Sequence, residues 1–95
     1  MYIGFESIAV SDTVLKLSDL TVPPEATGAE LHTLTGGVRY TMDNTTDPTV
    51  SAGMLILAAS SPKYFSIEDI NRMKFIRDGA VNNPLNIHYI AGRDI

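Results

Sequence analysis

The sequence predicts an all-β protein, an antiparallel β-sandwich or jelly-roll-like barrel with at most one short helical turn. Short apolar segments recur about every 8 to 12 residues, and Gly, Pro, Asn and Asp separate them, as in sandwiches and small barrels. Within several segments apolar and polar residues alternate, which is the pattern of a half-buried strand. The length of 95 residues indicates one domain, residues 1–95, because two separate cores would each be too small to be stable.

The first two predicted strands cover Phe5–Val10 and Ala29–Leu34. Between them, two short apolar segments lead to Pro23-Pro24, where the missing backbone N–H groups prevent regular pairing. After the second strand, Thr35-Gly36-Gly37 supplies the residues of a tight turn and predicts a hairpin into the next strand.

The stretch from Gly36 to Leu57 predicts two strands joined by a polar loop. Val38, Tyr40 and Met42 alternate with polar residues, so we expect them on one face of the first of these strands. The loop Asp43–Thr49 is rich in side chains that cap turns, and we expect it to protrude.

The second half of the chain predicts three further strands, at Tyr64–Ile67, Met73–Ile76 and Leu85–Ile90. A single helical turn over Glu68–Arg72 is expected between the first two of them, because Ser66 can cap it and Ile67 starts an apolar pattern at helical spacing. The remaining turns are predicted at Asp78-Gly79 and at Asn82-Asn83-Pro84.

Composition argues against several classes of partner. A net charge of −4 is unfavourable for binding nucleic acid or anionic lipid, both of which need Lys and Arg. Cysteine is absent, so the sequence offers neither disulfides nor thiolate metal sites. Met1–Val10 has no basic flank and is a poor signal peptide, and the apolar run Met54–Ala59 is too short to cross a bilayer. We therefore expect a chain made in a cytoplasm, with no membrane partner.

The carboxylates and hydroxyls of Asp43–Asp47 raise the question of a calcium loop. A helix-loop-helix calcium site needs Gly at its sixth position and Glu at its twelfth, and Pro48 and Met54 stand there instead. A turn whose Asp and Thr side chains satisfy backbone amides fits the same residues better. Asn44-Thr45-Thr46 matches a glycosylation acceptor, but we expect no modification without a secretory signal.

The two histidines, His32 and His88, fall in predicted strands. Alternation puts His32 on the same face as Glu30 and Leu34, and metal binding would need a further convergent ligand. We therefore interpret the histidines as solvent-facing or interface residues. Since spacing groups no nucleophile, base and orienting side chain, and no Gly-rich phosphate loop is present, the sequence predicts a protein that is not an enzyme and uses no cofactor.

The only cluster of basic residues in the sequence consists of Arg72, Lys74 and Arg77. This cluster is either a contact for a protein partner or a solvated edge that prevents association between sheets. Arg39 lies apart, and an ion pair with Asp43 or Asp47 is the natural hypothesis for it.

Several short motifs follow one another over nearly the whole chain. They are Leu20-Thr21-Val22-Pro23, Gly36-Gly37-Val38-Arg39-Tyr40, Asp43 with Thr46-Asp47-Pro48-Thr49, Gly53-Met54-Leu55, Phe75-Ile76 and Ile87-His88-Tyr89. In this order the sequence resembles a group of small all-β proteins encoded among the virion-assembly genes of tailed bacteriophages. It departs from them at Asp43-Asn44, where those proteins have an Asp-Gly turn, and at the Asn82-Asn83-Pro84 segment.

The resemblance implies a non-enzymatic component of the virion. The first expectation is a capsid decoration, or cement, protein that sits as a homotrimer where capsomers meet and contacts the major capsid protein or other virion proteins. One alternative is a glycan- or receptor-recognition module of a head fibre or tail. Another is a head–tail joining or tail structural protein.

Two surfaces are expected to make the contacts with partners. The N-terminal strand Met1–Glu6 presents an apolar edge that can add to the sheet of a neighbour, and the loop and basic cluster provide polar contacts. The expected contact residues are Met1, Tyr2, Ile3, Phe5, Asp43, Asn44, Asp47, Arg72 and Lys74.

Overall fold

Two antiparallel sheets make up the fold in the computed structural model, which describes residues 1–59, 61–80 and 82–92. A four-stranded sheet has the order β1-β7-β2-β5, and a three-stranded sheet has the order β4-β3-β6. This arrangement confirms the predicted all-β, sandwich-like fold. The strands are β1 (Tyr2–Val10), β2 (Gly28–Thr33), β3 (Val38–Thr41), β4 (Met54–Ile56), β5 (Lys63–Ser66), β6 (Lys74–Arg77) and β7 (Asn83–Ile90), with a 3-10 turn at Leu17–Asp19 and a helix α1 at Ile67–Ile70.

The two sheets share one hydrophobic core. The ring of Tyr40 on β3 meets that of Phe65 on β5 edge to face, with centroids 5.4 Å apart and an interplanar angle of 77°. This is a favourable aromatic geometry and joins the sheets across the core. The fully buried side chains around it come from both sheets and include Leu31, Val38, Phe75, Leu85 and Ile87.

The sheets also meet at two corners through backbone hydrogen bonds. At one corner the Arg77 N–H donates to the Ser11 carbonyl at 3.0 Å, and Leu15 exchanges two 2.8 Å bonds with Phe75. At the other, the Ala59 N–H donates to the Thr33 carbonyl at 2.8 Å. The segment that follows β1 therefore hydrogen-bonds to β6 of the other sheet. The segment that follows β4 hydrogen-bonds to the end of β2.

Helix α1 begins after Ser66, the capping residue that the sequence predicts. The Asp69 N–H donates to Ser66 Oγ at 3.3 Å, so Ser66 is the N-cap, and Ile70 is buried against the core. The turn covers Ile67–Ile70 instead of the expected Glu68–Arg72. No helix in the three described ranges has both the length and the apolar character of a membrane span.

The hairpin predicted at Thr35-Gly36-Gly37 is wrong, because β2 and β3 belong to different sheets. Instead, these glycines allow the side chain of Asn83 to approach the backbone closely. A Cβ on Gly36 would overlap Asn83 Oδ1, and Asn83 Nδ2 donates to the Gly37 carbonyl at 3.0 Å. Glycine is required here because the buried Asn83 side chain fills the space that a side chain at Gly36 would occupy.

The turn predicted at Asn82-Asn83-Pro84 is also wrong. Asn83 and Pro84 are the first residues of β7 and lie opposite Val10 and Ala9 of β1. Pairing of β7 with β2 begins only at Leu85. Proline is tolerated because it stands at the start of the strand, where only one side of β7 is paired.

Candidate functional site

Strand β1 lies at the edge of the four-stranded sheet. It pairs with β7 along its whole length, with one irregularity in register between Tyr2 and Gly4. Its second edge has no strand partner among the residues that the structure describes. An unpaired edge of nine residues exposes a row of backbone donors and acceptors, which is a template for pairing with another chain.

The N-terminal residues differ in how they are exposed. Met1 is 86% exposed, Tyr2 54% and Phe5 62%, so these three expected contact residues do present apolar surface to solvent. Ile3 is half-buried and packs against the core. It therefore helps to hold β1 on the sheet, in contrast to its three neighbours.

Glu6 fixes the inner side of β1. Its Oε2 accepts from the Thr21 N–H at 2.8 Å and from the Tyr89 hydroxyl at 2.5 Å. Burial, reinforced by the bond and charge of Glu6, raises the pKa of Tyr89 far above its usual value, so the phenol remains a hydrogen-bond donor. The two hydrogen bonds of Glu6 thus hold the inner side of β1 in place. The free edge and the outer face of the strand remain accessible.

The remaining expected contact residues lie beside the other sheet, in the loop between β3 and β4, in the turn before β6 and at the first residue of β6. Lys74 Nζ and Asp47 Oδ1 form an ion pair at 2.8 Å, and the Asn44 N–H donates to the Arg72 carbonyl at 3.2 Å. The loop between β3 and β4 is therefore bonded to Arg72 in the turn before β6 and to Lys74 at the start of β6. The expected contact residues form two separate groups, one at each sheet.

Asp43 organises the start of this loop as a capped turn, as the sequence predicts. Its Oδ2 accepts from the Thr46 hydroxyl at 2.6 Å, and its Oδ1 accepts from the N–H groups of Thr46 at 2.8 Å and Thr45 at 3.1 Å. The Thr46 hydroxyl bond, followed by the two amide bonds, lowers the pKa of Asp43 to about 2. Over the described ranges, no group of three or more His, Asp or Glu side chains is placed to hold a metal ion.

The expected ion pair of Arg39 with Asp43 or Asp47 is wrong. Arg39 Nε bonds to Asp78 Oδ1 at 2.8 Å, and its Nη1 donates to the Gly53 carbonyl at 3.1 Å. Asp78 follows β6, which is the neighbour of β3 in the sheet. Arg39 therefore ties β3 to the turn after β6 and to the loop before β4.

The outer face of the four-stranded sheet carries a groove that sequence reasoning missed. The pairing of β2 with β7 puts Glu30 opposite His88 and His32 opposite Asn86, so all four side chains lie on the face away from the core. The cavity measures about 230 Å³. We call it the outer groove, and its lining residues are Phe5, Glu30, His32, Pro62, Asn86 and His88.

Aromatic rings form one wall of the outer groove. The rings of Tyr2 and His88 stack with centroids 4.0 Å apart and an interplanar angle of 23°, and Phe5 meets His88 edge to face at 5.8 Å. The Tyr2 hydroxyl donates to Glu30 Oε1. Both histidines thus lie on the solvent side of the sheet, which agrees with one of the two positions expected for them.

Alternation within each strand is the signal that could have revealed this groove. Glu30 and His32 are two residues apart, as are Asn86 and His88, so each pair shares a face. The adjacency of β2 and β7 joins strands far apart in sequence, and no local pattern specifies it.

The fold is a small antiparallel β-sandwich in which the long strand β1 is one of the edge strands. Comparisons with protein-family models, with curated proteins and with solved structures give no match for this chain.

Proposed function

We propose that this chain is a non-enzymatic structural protein of a tailed-bacteriophage particle, acting as a capsid decoration protein on the outer shell. The order of motifs from Leu20 to Tyr89 supports the link to virion proteins. The unpaired edge of β1 is the observation that carries the mechanism, because it provides a surface for assembly with other proteins.

In the proposed mechanism β1 adds to a strand of a neighbouring protein. Strand addition supplies main-chain hydrogen bonds, and the side chains beside the edge supply apolar burial. Met1, Tyr2 and Phe5 are each more than half exposed. Full burial of one such side chain is worth about 1.5–3 kcal/mol. The neighbours are the major capsid protein and further copies of this chain, with three copies meeting where capsomers adjoin.

The test adds purified variants back to particles from which this protein has been stripped. Ala9→Lys puts a charge on the exposed face of β1, where edge charges oppose strand addition. Ala52→Lys makes the same change at an exposed position in the loop between β3 and β4. We expect Ala52→Lys to rebind and restore resistance to heat, and Ala9→Lys to do neither.

Other outcomes of the same experiment would contradict the proposed function. If stripping leaves the resistance of the particles to heat and osmotic shock unchanged, the cement role is wrong. If Ala9→Lys rebinds as well as Ala52→Lys, β1 is not the docking edge. Copies confined to a single vertex would instead identify a head–tail joining protein.

A further inference from the structure

The outer groove combines exposed ring faces with polar side chains that the protein leaves available. Phe5 is 62% exposed and forms one wall with His88. Within the described part of the chain, the side chains of His32 and Asn86 have no hydrogen-bond partner. An imidazole and a carboxamide at adjacent positions offer both donors and acceptors to a ligand.

Glu30 is positioned beside these groups. It lies opposite His88 in the sheet, and the Tyr2 hydroxyl bonds to one of its carboxylate oxygens. That contact leaves lone pairs of the carboxylate to accept hydrogen bonds from a ligand. A carboxylate at this position also disfavours an anionic ligand, as does the net charge of −4.

The size of the groove limits what can occupy it. Its volume of about 230 Å³ lies below the range of roughly 300–1,000 Å³ for drug-sized ligand sites. A protein partner would need about 800 Å² of contact surface on each side, which a groove of this size does not supply by itself. One small ring with an apolar face and several hydroxyl groups fits both the size and the polarity.

We propose that the outer groove binds one pyranose unit of a neutral saccharide. The carbon-bound hydrogens of the sugar ring pack on the exposed ring of Phe5, which stands nearly perpendicular to the His88 ring. Its hydroxyl groups donate to Glu30 and exchange hydrogen bonds with His32 and Asn86. This site shares Phe5 with the proposed docking surface of β1, but Glu30, His32, Asn86 and His88 lie on β2 and β7, away from the free edge.

The experiment is a titration of the isotopically labelled full chain with methyl glycosides of glucose, galactose, mannose and N-acetylglucosamine, followed by two-dimensional NMR. We expect at least one glycoside to give saturable shifts centred on His32, Asn86 and His88. A single sugar ring should bind with a Kd on the order of 1–10 mM.

Variants separate the groove from the rest of the surface. Asn86→Ala should raise the Kd about fivefold through loss of a ligand hydrogen bond, and Phe5→Ala should raise it by a similar factor. Met54→Ala, a truncation at a side chain that is 61% exposed on β4 of the other sheet, should leave the Kd unchanged. The absence of saturable shifts with every glycoside overturns the proposal, as does an equal effect of all three variants. Shifts of the groove residues that follow protein concentration instead of glycoside concentration overturn it in favour of a protein contact.

Discussion

Asp43 is a fully solvated carboxylate whose ionised form is held by two threonines. Its pKa is lowered from 3.8 to about 2 by the Thr46 hydroxyl and by the amides of Thr46 and Thr45. Since the folded-state pKa lies below the unfolded value, ionised Asp43 stabilises the folded loop fully above about pH 4. This contribution is lost as the pH falls through about 2.

The prediction is that the Asp43 carboxyl titrates near pH 2 in an NMR titration, together with the amide shift of Thr46. In a Thr46→Val variant, which loses the hydroxyl bond, the midpoint should move towards 3.8. A midpoint near 3.8 in the wild-type chain would contradict the capped turn.

Arg39 connects three parts of the chain through one side chain. It bonds to Asp78 after β6 and to the Gly53 carbonyl before β4. Local sequence patterns do not identify Asp78 as a partner, because it is 39 residues away and approaches only through the long-range pairing of β3 with β6. Sequence reasoning therefore identified a structural arginine but assigned it to the wrong carboxylates.

We predict that Arg39→Ala lowers the free energy of unfolding by about 1 kcal/mol, since it removes a partly buried ion pair and a bond to a backbone carbonyl. Asp47→Asn, which weakens the more exposed pair with Lys74, should cost less than about 0.5 kcal/mol. Urea denaturation of both variants measures the difference. Equal stability of Arg39→Ala and the wild type would show that the Asp78 contact has no structural role.

At the scale of elements, the parts that local chemistry determines were predictable. The Ser66 cap and the alternation of Val38 and Tyr40 depend on neighbours in sequence, and both are present. Met42 was expected on the same face but follows the end of β3 and is 39% exposed. The glycines at 36 and 37 look like a hairpin turn, yet their role depends on Asn83, which is distant in sequence. Sheet membership is a non-local property, and the outer groove was missed for the same reason.

The contact between Gly36 and Asn83 gives a prediction about how β7 is held. Gly36→Ala should destabilise the fold by about 1–3 kcal/mol, because its methyl group would overlap the buried Asn83 side chain. Asn83→Ala should also destabilise it, through loss of the bond to the Gly37 carbonyl. The two changes together should cost less than the sum of the single costs, since truncation at Asn83 removes the overlap.

A double-mutant cycle by chemical denaturation measures this coupling. Thr35→Ala, at the exposed neighbouring position, is the control and should change stability by less than about 0.5 kcal/mol. Strictly additive costs would mean that overlap with Asn83 is not the reason for glycine at position 36.

At the scale of the molecule, aromatic residues divide between core and surface. Phe65 is 7% exposed and contacts Tyr40 across the two sheets, whereas Phe5 is 62% exposed on β1. Tyr40 and Phe65 join the two sheets, whereas the exposed part of Phe5 presents apolar surface to other molecules.

Phe65→Ala should cost about 3–5 kcal/mol, the usual range for a core phenylalanine, and Phe5→Ala less than about 1 kcal/mol. In a domain of this length each 1 kcal/mol corresponds to about 4–8 °C in Tm, so thermal unfolding distinguishes the two. Similar losses for both variants would mean that Phe5 belongs to the core and that the open edge is not apolar surface.

The central claim is that this protein works by adding β1 to the sheets of neighbouring virion proteins. A cryo-electron microscopy reconstruction of a phage particle containing this chain tests it most directly. We predict many symmetry-related copies on the outer shell, with β1 hydrogen-bonded along its free edge to a strand of a neighbour. Copies whose β1 edge faces solvent, with no neighbouring strand paired to it, would contradict the claim.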